Sequence, residues 1–401
     1  GTALAFQTAS VIATSFGGLK ALRYVGLITA SNDTAILRDS SFLMMTRPAW
    51  YNPSVTAPQH TKGISVDDPI LQVQGLRAEF VTPDGIVRAV NDVSFSLAPG
   101  KTLVLTGESG SGKSTVALAI MGLLPSPGGR ITAGNVVLKG RDLFTLPSDE
   151  MRLLRGKEIA IVFQDPSSSL NPVLSVGQQV EEIITNHLHV SRREARKRAI
   201  EVLRRIGLPD PAVVVKHYPF QLSGGMAQRV MIAIATALLP DVLILDEPTS
   251  ALDVTVQAAI LEDLRGLQRE HGISIVLITH DLGVAAQMAD DVAVMYAGSV
   301  VEYATALAVF SRPRHPYTWS LLASRPRWDK DRSEIGRLMA IRGTPPSLID
   351  LPEECSFLER CPKATSQCRI EPMPPLAPIE GDGHLIACYN PIYMDDNDAE
   401  A

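Results

Sequence analysis

Apolar and polar positions change their spacing along this chain in a way that predicts a sheet covered by helices. Leu71–Phe80 and Val87–Leu97 alternate with the two-residue period of half-buried strands, and Pro83-Asp84-Gly85 between them has turn chemistry, so an antiparallel hairpin is expected there. Short apolar runs follow at Thr102–Thr106, Ile159–Phe163, Val242–Leu245 and Ile273–Ile278. Helical patterns separate them, which is the rhythm of a mostly parallel sheet with both faces covered. Between Ile159–Phe163 and Val242–Leu245, helix signals at Val176–His189 and Arg192–Ile206 predict a helical subdomain inserted at about 165–222. A last hairpin is expected at Val292–Tyr303, turning at Ala297-Gly298-Ser299, and no internal repeat is visible. The fold class is therefore α/β.

Composition narrows the partners. The 401 residues carry a net charge of −6, which argues against nucleic acid, since phosphate-backbone binding needs a basic face. The basic run Arg192–Arg198 reads as the solvated side of a helix. No apolar stretch reaches the roughly 20 residues needed to cross a bilayer. The nearest, Val11–Ala30, is interrupted by Ser15, Lys20 and Arg23, and no basic segment precedes it as in a secretory signal. Residues 1–66 are expected to be poorly ordered and without chemistry. After His315 the chain turns rich in Pro and Cys, marking a separate tail whose cysteine region is expected to lie far from the phosphate loop described next.

Gly107-Glu108-Ser109-Gly110-Ser111-Gly112-Lys113-Ser114 follows the first apolar run and opens a helix predicted over Thr115–Leu124, the context a P-loop requires. Glycines let successive N–H groups face inward at a polyphosphate, and the helix N-terminus adds about half a positive charge. Lys113 is expected to reach the terminal phosphates and Ser114 to complete Mg²⁺ coordination. Val242–Leu245 runs into Asp246 and Glu247, a strand ending in two carboxylates: Asp246 for the metal, Glu247 as acceptor of a proton from water. Gln164 ends another strand with a side chain able to touch both metal and water, and His280 ends a third, where an imidazole senses the terminal phosphate. Leu222-Ser223-Gly224-Gly225-Met226-Ala227-Gln228-Arg229 leads into an apolar helix over Val230–Leu238, a second helix N-terminus suited to phosphate.

This ordered set, with Ser250-Ala251-Leu252-Asp253, resembles the ATP-binding subunits of ABC transporters over about Ile70–Phe310. The resemblance implies a P-loop ABC ATPase domain at 67–312, a mostly parallel sheet with an antiparallel β subdomain and an inserted helical subdomain. It also implies ATP and Mg²⁺ as ligands, with Gly107–Thr115 binding nucleotide in one subunit and Ser223, Gly224 and Gly225 closing the site of a second, homologous ATPase. Met226 stands where the family usually has Gln. An aromatic stacked on adenine is implied, and Phe80 is the candidate. Phe163-Gln164-Asp165-Pro166, Tyr218-Pro219-Phe220-Gln221, His315-Pro316-Tyr317-Thr318 and Gly343-Thr344-Pro345-Pro346 resemble the oligopeptide/dipeptide-permease branch; nickel importers share much of the pattern. The partners implied are two integral-membrane permease subunits and an extracytoplasmic peptide-binding protein. The site implied is the cytoplasmic face of a bacterial plasma membrane, with the chain held peripherally. A soluble ABC ATPase of DNA repair or translation is the reading from another class.

All four cysteines, Cys355, Cys361, Cys368 and Cys388, lie in the region 313–392, ahead of an end at 393–401 expected to be disordered. Four thiolates match a tetrahedral zinc site or an iron–sulfur cluster, and a reducing compartment disfavours two disulfides. The permease resemblance implies a [4Fe–4S] cluster, with Zn²⁺ as the alternative.

Overall fold

The computed structural model describes residues 68–250, 252–324, 340–349, 351–379 and 383–393. The expectations for 1–66 and 394–401, and for Ala251, fall outside them.

The expected first hairpin forms from β1 (Leu71–Thr82) and β2 (Gly85–Leu97), paired antiparallel with Thr82 opposite Gly85. Strand β3 (Thr102–Thr106) is wholly buried and feeds the P-loop, after which the helix Lys113–Ile120 begins two residues before the expected start. It also stops early, because the chain turns left-handed at Gly122 (φ 61°) while Arg155 Nε caps the Met121 carbonyl at 2.9 Å. Sequence patterning missed β4 (Gly129–Leu138), which pairs with β1. The reason is physical: half-exposed and exposed residues dominate its first half and burial sets in only near Val136 and Leu138, so no alternation announces it. With β5 (Arg141–Asp142) these strands make a four-stranded antiparallel sheet in the order β2-β1-β4-β5.

The second sheet holds β6 (Ile159–Val162), β7 (Val242–Asp246), β8 (Ser274–Ile278), β9 (Asp291–Tyr296), β10 (Ser299–Thr305), β11 (Ala377–Ile379) and β12 (His384–Ile386). Together with β3 its order is β11-β12-β10-β9-β3-β8-β7-β6, and the five strands from β9 to β6 run parallel. Crossovers of this kind put the loops that follow β3, β6, β7 and β8 at one edge of the sheet, where ligands gather in open α/β folds. The β9–β10 hairpin turns at Ala297 and Gly298, both left-handed (φ 45° and 86°).

The inserted layer comprises helices Pro166–Ser169, Val176–His187, Arg192–Arg205 and Pro211–Val214. Ser175 and Gln178 form a capping box and Ser191 caps the next helix, which fixes both starts. Ala195, Ala199, Val202 and Leu203 face the core, while Arg196 pairs with Glu181 at 2.8 Å. The first three of these helices pack on the helix Gly224–Ala235, which starts at the expected glycines rather than at Val230.

The chain beyond His315 rejoins the body of the protein, which corrects the expectation of a separate tail. β12 pairs with β10 and extends the sheet, Ile349 bridges Val87, and Arg88 N–H donates to the Leu348 carbonyl at 2.9 Å. Leu351 and Phe357 are buried in the core shared with Tyr296 and Tyr317. One buried acid fastens this junction. Glu302 accepts from the backbone N–H groups of Arg314 (2.7 Å) and His315 (2.9 Å) and from His384 Nε2 (2.6 Å). His315 is also buried, and desolvation pulls its pKa down to about 4, so the ring is neutral and its Nδ1 accepts from the Tyr317 N–H at 3.0 Å.

Candidate active site

The P-loop curls against two backbone carbonyls, and that contact dictates its glycines. A Cβ on Gly107 (φ 145°) would lie 2.1 Å from the Met295 oxygen, and one on Gly112 (φ 98°) 2.1 Å from the Ala89 oxygen. Only hydrogen fits in either place. Inside the curl, Lys113 Nζ donates to the carbonyls of Gly107 (2.9 Å) and Glu108 (2.8 Å) and to Ser111 Oγ (3.3 Å). Burial lowers the lysine's pKa, and the carboxylates of Glu247, Asp246 and Glu108 oppose that shift. A buried ammonium held only by neutral oxygens is suited to exchange them for an anionic phosphate.

Strand β7 carries the two expected acids to the same edge. Ser114 Oγ donates to Asp246 Oδ1 at 3.0 Å, and burial pushes the Asp246 pKa up. A desolvated carboxylate beside a hydroxyl is an all-oxygen pair, only partly offset by Lys113, and it fits the hard cation expected here. Ser114, Asp246 and, within reach of the same edge, Gln164 are the residues that would hold Mg²⁺, whose chemistry is to neutralise charge on the phosphates.

Glu247 is the centre of the arrangement. Its backbone is left-handed (φ 46°), an uncommon state for a non-glycine residue, and its N–H is held by the Ile278 carbonyl at 2.9 Å. That turn lifts the side chain off the strand end. Gln164 Nε2 donates to Glu247 Oε2 at 3.0 Å, and His280 Nδ1 lies 3.0 Å from Oε1. Side chains from the ends of β6 and β8 thus meet on the carboxylate that follows β7, and hold it at both oxygens. A cleft beside it is lined by Thr249, Ser250, Leu252, Thr279 and Asp281.

The other expected residues fall elsewhere. Ser223 caps its own helix, its Oγ accepting from the Met226 N–H at 3.3 Å, so the Gly224 and Gly225 amides form a second helix N-terminus. Phe80 is half-buried on β1 with its ring edge against Gly129. Ser109, Gly110 and Thr115 complete the loop and its helix.

The four cysteines converge on one cavity. Cys355, Cys361, Cys368 and Cys388 line one cavity with a free volume of about 10 Å³, and none is in a disulfide. Among the described residues no group of three or more His, Cys, Asp or Glu is placed to hold a metal ion. Burial raises the pKa of Cys355 and Cys361 and pushes Cys388 up to about 12, with mutual repulsion adding to each. Raised in this way, the thiols of Cys355, Cys361 and Cys388 hold their protons and pack as small apolar groups.

Two contacts to the P-loop escaped sequence reasoning. Arg360, in the cysteine region, binds Glu108, and Tyr317 Oη accepts the Glu108 N–H at 2.8 Å. Tyr317 stands in a motif that the sequence does single out, His315-Pro316-Tyr317-Thr318; for Arg360 the only signal is its place between Cys355 and Cys361.

A P-loop, a strand-end acid pair and a glutamine and histidine closing on the second acid define a nucleoside-triphosphate hydrolase with an ABC-type sheet. The family described as ABC transporter matches residues 90–250, and that described as the C-terminal region of oligopeptide/dipeptide transporters matches 301–368. The dipeptide transport ATP-binding protein DppD of Bacillus subtilis is 47% identical over 322 residues, 80% of this chain and 95% of its own length. The oligopeptide transport ATP-binding protein OppD of Salmonella typhimurium is 46% identical over 341 residues, 84% of this chain and 98% of its own. A dimeric structure of MJ0796, a bacterial ABC transporter cassette, matches with a TM-score of 0.54 and 31% identity, covering 59% of this chain and 98% of that one. This chain belongs to the family of ABC transporter ATP-binding proteins, and it is an ATP hydrolase.

Proposed function

We propose that this protein powers a bacterial importer of dipeptides or oligopeptides, hydrolysing ATP on the cytoplasmic face of the plasma membrane. The observation that carries the cargo is the C-terminal region: residues 301–368 match a region described for oligopeptide/dipeptide transporters, and relatives named for dipeptide and oligopeptide transport align across about four-fifths of the chain. Among the described residues no helix is long and apolar enough to cross a membrane. Passage of the cargo is assigned to partners. Those partners are two permease subunits, served by an extracytoplasmic binding protein. The second ATPase is a homologue. Its signature serine and glycines close over this chain's P-loop while Ser223, Gly224 and Gly225 close over its own, a reading supported by two helix N-termini in one chain and by the dimeric relative.

In that complex ATP is held by the Gly107–Thr115 loop, with Lys113 on the terminal phosphates and Phe80 against adenine. Glu247 accepts the proton of the attacking water, oriented by Gln164 and His280. The four-thiol cavity takes a thiolate-bound metal centre. Support for this is the convergence of all four cysteines on one cavity; as placed they do not ligate a metal, so Zn²⁺ or a [4Fe–4S] cluster alike needs the side chains to turn toward a shared centre. Iron and zinc analysis of anaerobically purified protein decides: about four irons per chain mark the cluster, one zinc the single ion, and neither removes the metal centre. For the cargo, vesicles holding the chain with its co-purifying permeases should accumulate labelled peptide when given ATP. Accumulation of nickel without peptide would reassign the importer.

A further inference from the structure

The P-loop contains one acid. Glu108 is the only carboxylate between Gly107 and Ser114, and a negative charge in a cradle built for a polyphosphate opposes its ligand. The structure answers that charge from a point 252 residues away in the chain. Arg360 Nη1 donates to Glu108 Oε2 at 2.7 Å and Nη2 to Oε1 at 2.9 Å, a two-bond fork. The guanidinium is itself fixed on its other side. Nη1 also reaches Tyr296 Oη at 3.1 Å, Nε donates to the Arg342 carbonyl at 2.9 Å, and the ring of Tyr296 lies 5.7 Å from the guanidinium carbon. The Arg360 side chain is 6% exposed and that of Glu108 24%, so the pair is shielded from water and salt. The Glu108 backbone is held as well, by Tyr317.

We propose that Arg360 is a positioning residue of the nucleotide site: it neutralises Glu108 and directs its carboxylate away from the phosphates, so that the C-terminal region sets the affinity of the P-loop for ATP. Cutting this fork should act on nucleotide binding through Glu108. A pair that only fastens the C-terminal region would leave ATP affinity alone. The two differ in a way that a charge-removal cycle reads. With Arg360 gone, Glu108 is a free anion beside the phosphates and affinity falls. With both charges gone, it returns.

The test is titration of full-length protein with MgATP, together with steady-state hydrolysis. Arg360→Met should weaken binding about tenfold or more, the scale of a charge-assisted contact, and raise KM with kcat little changed. Arg360→Lys should fall between, since a point charge still neutralises but cannot make the fork. Arg360→Met with Glu108→Gln should bind within about threefold of wild type, a rescue that restored fastening cannot produce. Affinity unchanged in Arg360→Met, or a double variant as weak as the single, would overturn the inference. Should Arg360→Met fail to fold, Arg360→Lys with and without Glu108→Gln is judged by the same two criteria. Wild type and Lys113→Ala run alongside: no ATP binding by wild type would strike the nucleotide site itself, whereas normal wild-type binding with no effect at Arg360 strikes this inference alone.

Discussion

Replacing Glu247 by Gln isolates the proton-accepting step from everything else in the site. The substitution keeps length, shape and the left-handed backbone, and the amide oxygen can still accept from Gln164 Nε2, which lies 3.0 Å from the native carboxylate. What disappears is basicity. A positioned general base contributes roughly 10²–10⁴ in rate, or about 3–5 kcal/mol in activation free energy. Two features place this site toward the upper part of that range: the carboxylate is held at both oxygens, and its side chain is only 15% exposed. ATP affinity should be retained or increased, because a negative charge near Lys113 and the phosphates has been removed. The assay is phosphate release under single-turnover conditions with the assembled complex, beside equilibrium ATP titration. A loss of less than about tenfold in the hydrolysis step would refute the assignment, and loss of ATP binding would show that Glu247 holds the loop rather than the water.

Three further outcomes are expected. Lys113→Ala should cut ATP affinity by about tenfold or more, since the one mobile cation in the loop is lost; titration showing unchanged affinity would contradict the P-loop chemistry. Ser223→Arg should leave ATP binding at the mutant's own P-loop intact and stop turnover at the partner's site, and failure of only its own site would contradict the facing arrangement. Because the folded pKa of His315 is lowered to about 4 against 6.5 unfolded, protons favour the unfolded chain between those values. Stability is full above pH 6.5 and should fall by about 1.4 kcal/mol per unit toward pH 4, roughly 3 kcal/mol in all. Thermal melts of wild type and His315→Gln from pH 8 to pH 4.5 check this, and an equal pH slope in both would remove His315 as the cause.

The site was legible wherever chemistry is written on consecutive residues at the end of an apolar run. Asp246 ends a buried strand and Gln164, Glu247 and His280 follow one, and parallel strands deliver their ends to one edge, so order along the chain became proximity in space. The meeting of Gln164 and His280 on a single carboxylate was not legible, since it depends on the backbone turn at Glu247. Strand β4 was hidden because a strand at a sheet surface need not alternate. The C-terminal region was misplaced for a different reason. Its Pro and Cys content reads as a boundary, while the contacts that join it to the body, Glu302 with His384 and Arg360 with Glu108, are single long-range pairs without period or motif. Such pairs are recorded in the sequence only as isolated charges.

ATP hydrolysis at this site is proposed to drive peptides across a membrane. The most direct measurement is uptake of a labelled di- or oligopeptide by vesicles that hold the chain with its permease partners, with ATP on the side of the ATPase and binding protein on the other. Peptide accumulation should require ATP and stop with Glu247→Gln. Rapid ATP hydrolysis by the intact complex with no peptide movement, under conditions where nickel or another cargo is carried, would contradict this.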